Sequence, residues 1–145
     1  MVITCSDTRT PDTDTSGRLI QKLLKERGHT VAAYHLVKDE PSKIKAKIKA
    51  AVTNKKIQAI IINGGTGISK RDSTFEAVDA MLEKRLVGFG EIFRYLTYQD
   101  IGSPAIMSRA HADRAACRVR LVRAADRGRA ARGRRAADSA PVAAR

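Results

Sequence analysis

Val2-Ile3-Thr4-Cys5 opens the chain as a short apolar run that stops at Ser6-Asp7, the pattern of a buried strand. After polar residues, Leu19, Ile20, Leu23 and Leu24 recur on one face of a helix expected from about Ser16 to Arg27. Asp14, Thr15 and Ser16 are its candidate caps, and Gly28 is a suitable stop. Thr30 to Val37 is β-branched and aromatic, and is expected to be the second strand. Pro41 suits the first turn of a second helix. Lys43 to Lys49 alternates Lys with Ile or Ala, as a strand would. Ile44, Ile48, Ala51 and Val52 also align at helical spacing, and the Ala and Lys content favours helix. Ile57 to Asn63 is a continuous aliphatic run, expected to be a strand covered on both faces. Ser73-Thr74-Phe75-Glu76 is a capping box that opens a third helix to about Lys84. A helix at Glu91–Tyr95 follows, then a turn near Gly102-Ser103-Pro104 and a further helix or strand.

Strands alternating with helices imply an α/β fold with a mostly parallel sheet and right-handed crossovers. Ligands of such sheets sit beyond the carboxyl ends of the strands. Three loops leave strand carboxyl ends here: Ser6-Asp7 to Asp14, Lys38-Asp39-Glu40, and Gly64-Gly65-Thr66-Gly67. They are expected to gather on one edge.

Charge divides the chain. Its 145 residues carry 28 Lys plus Arg against 15 Asp plus Glu, a net +13. The final 36 residues hold 10 of the Arg, 13 Ala and no Lys. That segment has too little apolar surface to offset its ordering entropy. The expected organisation is a globular unit over residues 1–110 and an Ala/Arg-rich tail over residues 111–145, disordered or loosely helical. No apolar run approaches the about 20 residues of a membrane span. Cys5 and Cys117 form no C-x-x-C pair, which argues against a disulfide scaffold or structural zinc. A cytoplasmic setting without membrane attachment is expected.

The glycine loop is the sharpest chemical element. Without Cβ atoms, successive backbone N–H groups can turn inward on an anion, helped by the Thr66 hydroxyl. A tight connection with no ligand is the plainer reading. No G-K-[ST] follows, and the spacing is not G-x-G-x-x-G. Asp39 and Asp72 sit on converging loops, where two carboxylates can hold Mg²⁺ beside phosphate oxygens. Lys70 and Arg71 can neutralise phosphate. A solvated turn for Asp39 and a helix start for Asp72 are the alternatives. His29, His35 and His111 show no ligand spacing.

Taken in order, these pieces resemble a known family. They are Val2-Ile3-Thr4-Cys5-Ser6-Asp7-Thr8-Arg9-Thr10, Asp14-Thr15-Ser16-Gly17 and Lys38-Asp39-Glu40. There follow Gly64-Gly65-Thr66-Gly67-Ile68-Ser69-Lys70-Arg71-Asp72-Ser73-Thr74, Gly88-Phe89-Gly90-Glu91-Ile92-Phe93-Arg94, and Ile101-Gly102-Ser103 through Ser108-Arg109-Ala110. The chain is similar to the molybdenum cofactor biosynthesis proteins of the MoaB/Mog type over residues 2–110. The resemblance implies a three-layer α/β/α fold with a mostly parallel central sheet, assembled as a homotrimer or homohexamer. It implies binding of molybdopterin and, in catalytic members, adenylation of its terminal phosphate with ATP and Mg²⁺. Asp39 and Asp72 match the family's catalytic aspartates. Gly64, Gly65, Thr66 and Gly67 match its phosphate loop, Ser6 and Asp7 match the binding loop after the first strand, and Ser108 matches a serine bordering the pterin pocket.

Past Ala110 the family's Gly-containing turn, apolar strand and P-G loop are not found. The C-terminal part of the fold is therefore expected to be missing or replaced, with lowered stability and weak or absent activity. A non-catalytic pterin-binding paralogue and an inactive truncated product are alternatives. Nonspecific nucleic-acid binding through the Arg-rich tail is the alternative of another class, with no aromatics interleaved for base stacking. Deleting residues 111–145 is expected to abolish such binding and leave a cofactor site indifferent.

Overall fold

A computed structural model describes residues 1–64, 74–115 and 119–124. In chain order they form β1 (Val2–Cys5), α1 (Thr15–Glu26), β2 (Tyr34–Val37), α2 (Pro41–Thr53), β3 (Ala59–Gly64), α3 (Thr74–Asp79), β4 (Lys84–Leu86) and α4 (Val87–Ile101). A 3-10 helix (Ser103–Met107), β5 (His111–Ala115) and β6 (Val119–Ala124) complete them. The strands make one sheet in the order β2-β1-β3-β6-β5-β4. β2, β1, β3 and β6 run parallel, while β5 is antiparallel to both β6 and β4. This is the expected three-layer α/β/α arrangement.

Strand alternation places Ile3, Cys5, Ile60 and Ile62 on one face of the sheet. Ile44, Ile48 and Ala51 of α2 and Val78 of α3 cover that face, and together they form the core. Ile44 and Ile48 are wholly buried, each contributing about 1.5–3 kcal/mol of transfer free energy. The helical alignment of the Lys43–Lys49 segment thus prevails over its strand-like alternation, because only a helix brings Ala51 to the same side as Ile44 and Ile48. The opposite sheet face presents Thr4, against which α1 packs through Gly17.

Several features depart from the sequence expectation. The apolar stripe of α1 is only half covered, with Leu19 at 47% and Leu23 at 50% exposure, and the helix buries Ser16 and Gly17 instead. α4 spans 15 residues rather than the five expected, Val87–Ile101 in place of Glu91–Tyr95. A Cβ on Gly90 would lie 2.7 Å from the Ala110 carbonyl, so glycine lets α4 approach the chain entering β5. α3 ends at Asp79, ahead of the expected Lys84, and the short strand β4 follows.

The largest departure lies beyond Ala110. Two segments expected to be disordered or loosely helical are strands. β6 pairs with β3 over five residues, Ala59–Asn63 beside 120–124, and with β5 over five more. Composition argued against order by weighing side chains alone. The ladder forms between backbones, and β3 offers a full row of unpaired groups to any segment that reaches it.

Candidate functional site

The carboxyl ends of β1, β2 and β3 lie side by side. Cys5 is paired with Val37 on one flank and with Gly64 on the other. The three loops expected to converge therefore leave the sheet from one row of residues. Gly64 adopts φ +99°, and a Cβ there would lie 2.1 Å from the Cys5 carbonyl oxygen. Only glycine lets β3 turn away so close to β1.

Ser6 N–H donates to the Val37 carbonyl at 2.9 Å. Its Oγ accepts from the N–H groups of Thr8 at 3.3 Å and Arg9 at 3.2 Å, which closes a turn. Asp39 N–H donates to Asp7 Oδ1 at 3.1 Å, which joins two loops 32 residues apart in sequence. Ser6, Asp7, Asp39 and Gly64 are thus brought together. Gly65, Thr66, Gly67 and Asp72 lie outside the described residues. Ser108 follows the 3-10 helix, half-buried, and its Oγ accepts from Ala110 N–H at 3.4 Å. Beside it, Arg109 donates to Glu76 of α3 at 2.9 Å. The described contacts of Ser108 are local and do not reach Asp39.

Beneath the loop after β1 lies a polar cluster that the sequence reading treated only as a cap. Asp14 is fully buried and is the N-cap of α1. Its Oδ1 accepts from Gly17 N–H at 3.0 Å and from Arg9 Nη1 at 3.1 Å, and its Oδ2 accepts from the Tyr34 hydroxyl of β2. Arg9 also donates to Ser16 Oγ at 3.0 Å. A Cβ on Gly17 would stand 2.1 Å from Asp14 Oδ2, so glycine makes room for the carboxylate. Burial alone pushes the Asp14 carboxyl up. The donors, Tyr34 foremost, outweigh it and hold the group below its ordinary value. Burial first, and then the Asp14 carboxylate, push the Tyr34 phenol up to about 12. Burial and then the Lys47 charge push the His35 imidazole below its usual range.

The Asp14–Tyr34 pair predicts a pH dependence of stability. A phenol raised from its ordinary value of about 10 contributes stability that is complete below pH 10 and lost as pH rises toward about 12. A depressed carboxyl contributes above the usual carboxylate range, and that part is lost as pH falls through its lowered value. Tyr34→Phe leaves Asp14 Oδ2 short of a donor, with an expected cost of about 1–3 kcal/mol at neutral pH. Urea midpoints across pH check this. The decline between pH 10 and 12 should shrink in Tyr34→Phe, and an identical alkaline profile in both proteins contradicts the assignment.

Asn63, at the end of β3, is a residue that sequence reasoning missed. It is 1% exposed, and neither its amide oxygen nor its amide nitrogen has a hydrogen-bond partner among the described residues. It passed as the polar end of an aliphatic run, and only the register, which sets it beside Thr4 of β1, reveals it as buried. Among the described residues no group of three or more His, Cys, Asp or Glu is arranged to hold a metal, and no helix is long and apolar enough to cross a membrane.

Comparison with known proteins agrees with this fold. The chain is 52% identical over 110 residues to molybdenum cofactor biosynthesis protein B of Bacillus anthracis, and 56% identical over 111 residues to that of Halalkalibacterium halodurans. These matches cover 75% and 76% of the chain, which spans 65% of the length of each relative. A crystal structure of a molybdenum cofactor biosynthesis protein B superposes with a TM-score of 0.83 at 44% identity, over 90% of this chain and 81% of that one. The tungsten cofactor synthesizing protein MoaB from Pyrococcus furiosus gives 0.75 at 30% identity, over 90% and 83%. The family model described as a probable molybdopterin binding domain matches residues 1–121. That span takes in β1 through β5 and reaches into β6, and the chain belongs to this family of molybdopterin-binding domains.

Proposed function

We propose that the chain binds molybdopterin at the edge formed by the carboxyl ends of β1, β2 and β3, and serves molybdenum cofactor biosynthesis. One observation carries this reading. The shared register of Cys5, Val37 and Gly64, closed by the Asp7–Asp39 hydrogen bond, gathers three polar loops where an open parallel sheet binds ligands. Gly64 begins the glycine segment that suits the terminal phosphate, and the buried Asn63 amide lies directly before it.

The finer reading is adenylation. The pterin phosphate oxygen attacks the α-phosphorus of ATP, and pyrophosphate leaves. Mg²⁺ takes hard oxygen donors, and the Asp39 and Asp72 carboxylates are of that kind. They would hold the ion beside the phosphate oxygens, where it would neutralise charge on the reacting phosphates. Asp39 and Asp72 are the residues assigned to this step.

A second copy of the chain is the proposed protein partner. Tyr95, Tyr98 and Ile106 are 57–80% exposed and border an apolar cavity of about 430 Å³ between α4 and the 3-10 helix. Exposed aromatic and aliphatic groups clustered in this way mark association surfaces.

Calorimetric titration with molybdopterin, followed by Mg-ATP and detection of the adenylated product, tests the proposal. Binding by the wild type is expected. Asp39→Asn and Asp72→Asn should lower product formation by about 100-fold or more while retaining most affinity. Binding without product identifies a non-catalytic family member, and absence of binding overturns the reading.

A further inference from the structure

The parallel ladder of β1 and β2 alternates regularly. Val2 N–H donates to the Ala33 carbonyl, and Ser6 N–H donates to the Val37 carbonyl, each at 2.9 Å. A parallel ladder answers such a bond from the residue two further along the partner chain. The next rung is therefore due from Asp39 N–H to the Ser6 carbonyl. In its place Asp39 N–H donates to Asp7 Oδ1 at 3.1 Å. A side chain extends the ladder by one step, beyond the last paired residues, Cys5 and Val37.

The turn that presents Asp7 is itself held. Ser6 Oγ accepts from the N–H groups of Thr8 and Arg9 on its far side. The Arg9 guanidinium is anchored on Asp14 and Ser16 at the start of α1. Position 7 thus stands between two fixed points, and its oxygen is aimed across the gap between the loops.

We propose that Asp7 is a positioning residue for Asp39. It sets the Asp39 backbone, and with it the carboxylate, by supplying an acceptor oxygen. The oxygen is the required feature, and the negative charge is not. The family resemblance groups Asp7 with the binding loop, whereas this hydrogen bond gives it a task directed at another residue of the protein. The inference rests on the proposed role of Asp39 in adenylation.

Two variants of the full chain separate acceptor from charge. Asp7→Ala removes both, and Asp7→Asn keeps an oxygen at the same place. In Asp7→Ala the Asp39 amide, followed by hydrogen exchange in nuclear magnetic resonance, is expected to exchange about tenfold faster. Product formation should fall by a similar factor, through kcat more than KM. Asp7→Asn should restore both to within about threefold of wild type, since its oxygen still accepts. Faster exchange in Asp7→Ala with rescue by Asp7→Asn supports the proposal. Unchanged exchange in Asp7→Ala overturns it. An Asp7→Asn protein that protects the amide yet loses turnover like Asp7→Ala also overturns it, since the charge itself is then in use. If the wild type forms no product, the functional reading fails separately, and the exchange rates alone decide the positioning role.

Discussion

A chain ending at Ala110 is expected to lose cooperative unfolding. The cut removes β5 and β6, and with them the five-residue pairing that covers β3 on the side away from β1. β4 spans three exposed residues and pairs with β5 among the described strands, so it loses its partner as well. What remains is the three-stranded sheet β2-β1-β3, in which the aliphatic strand β3 has become an open edge. Its unpaired N–H and C=O groups then face water or another chain. Each backbone hydrogen bond contributes about 0.5–1.5 kcal/mol net, so losing a five-residue ladder removes an amount comparable to the margin of an ordinary domain. A chain ending after Ala124 keeps all six strands and serves as the comparison. Thermal and urea unfolding decide the matter. A sharp transition at an unchanged midpoint in the 1–110 chain contradicts the sheet order. Loss of cooperative unfolding also qualifies the nucleic-acid test suggested by composition, because deleting residues 111–145 removes sheet strands along with the arginines.

Gly64→Ala is expected to be the most damaging single substitution on the candidate site, costing about 3–5 kcal/mol. Two effects add. A residue with a Cβ is strained at φ +99°, by about 1–2 kcal/mol. The new methyl also meets the Cys5 carbonyl oxygen at 2.1 Å and the Cys5 carbonyl carbon at 3.1 Å, both backbone atoms held by the sheet. Relief requires β1 and β3 to separate where the candidate site is built. Gly28→Ala isolates the first effect. Gly28 has φ +77° with nothing within 4 Å of an added Cβ, so only the conformational cost of about 1 kcal/mol is expected there. Denaturant midpoints of the two variants should therefore differ severalfold in their shifts. Equal shifts would show that the contact with Cys5 yields easily. The Gly64 variant is also expected to weaken molybdopterin binding, since the loop would leave the sheet at a changed angle.

Much of the first half of the chain was legible before any coordinates. β1 follows the Val2–Cys5 run residue for residue, and α2 begins at the proline that suits a first helical turn. Those segments bury a full apolar face, so local pattern and tertiary demand coincide. α1 was legible as a helix and misread as to its contacts. Its leucines carry the amphipathic signal, yet the face against the sheet is made of Ser16 and Gly17, because the Asp14 cluster needs the space there. The residues of the candidate site divide in the same way. Asp39 and Gly64 followed from their places at strand ends. Asn63 and Tyr34 did not, since nothing in a one-dimensional pattern distinguishes a polar residue in water from one sealed beneath a loop.

The amino-acid sequence by itself determined the alternation of strands and helices, the parallel character of the first three strands and the edge on which their loops emerge. These properties depend on periodicity and on glycine or proline at particular steps, which are local. Only the tertiary structure decided that residues 111–115 and 119–124 supply strands to the sheet, that Asp14 joins α1 to β2, and that Asp7 meets the backbone of Asp39. Each of these is a pairing between groups far apart along the chain. Its free energy exists only when both partners are brought to hydrogen-bonding distance, and composition carries no record of that approach.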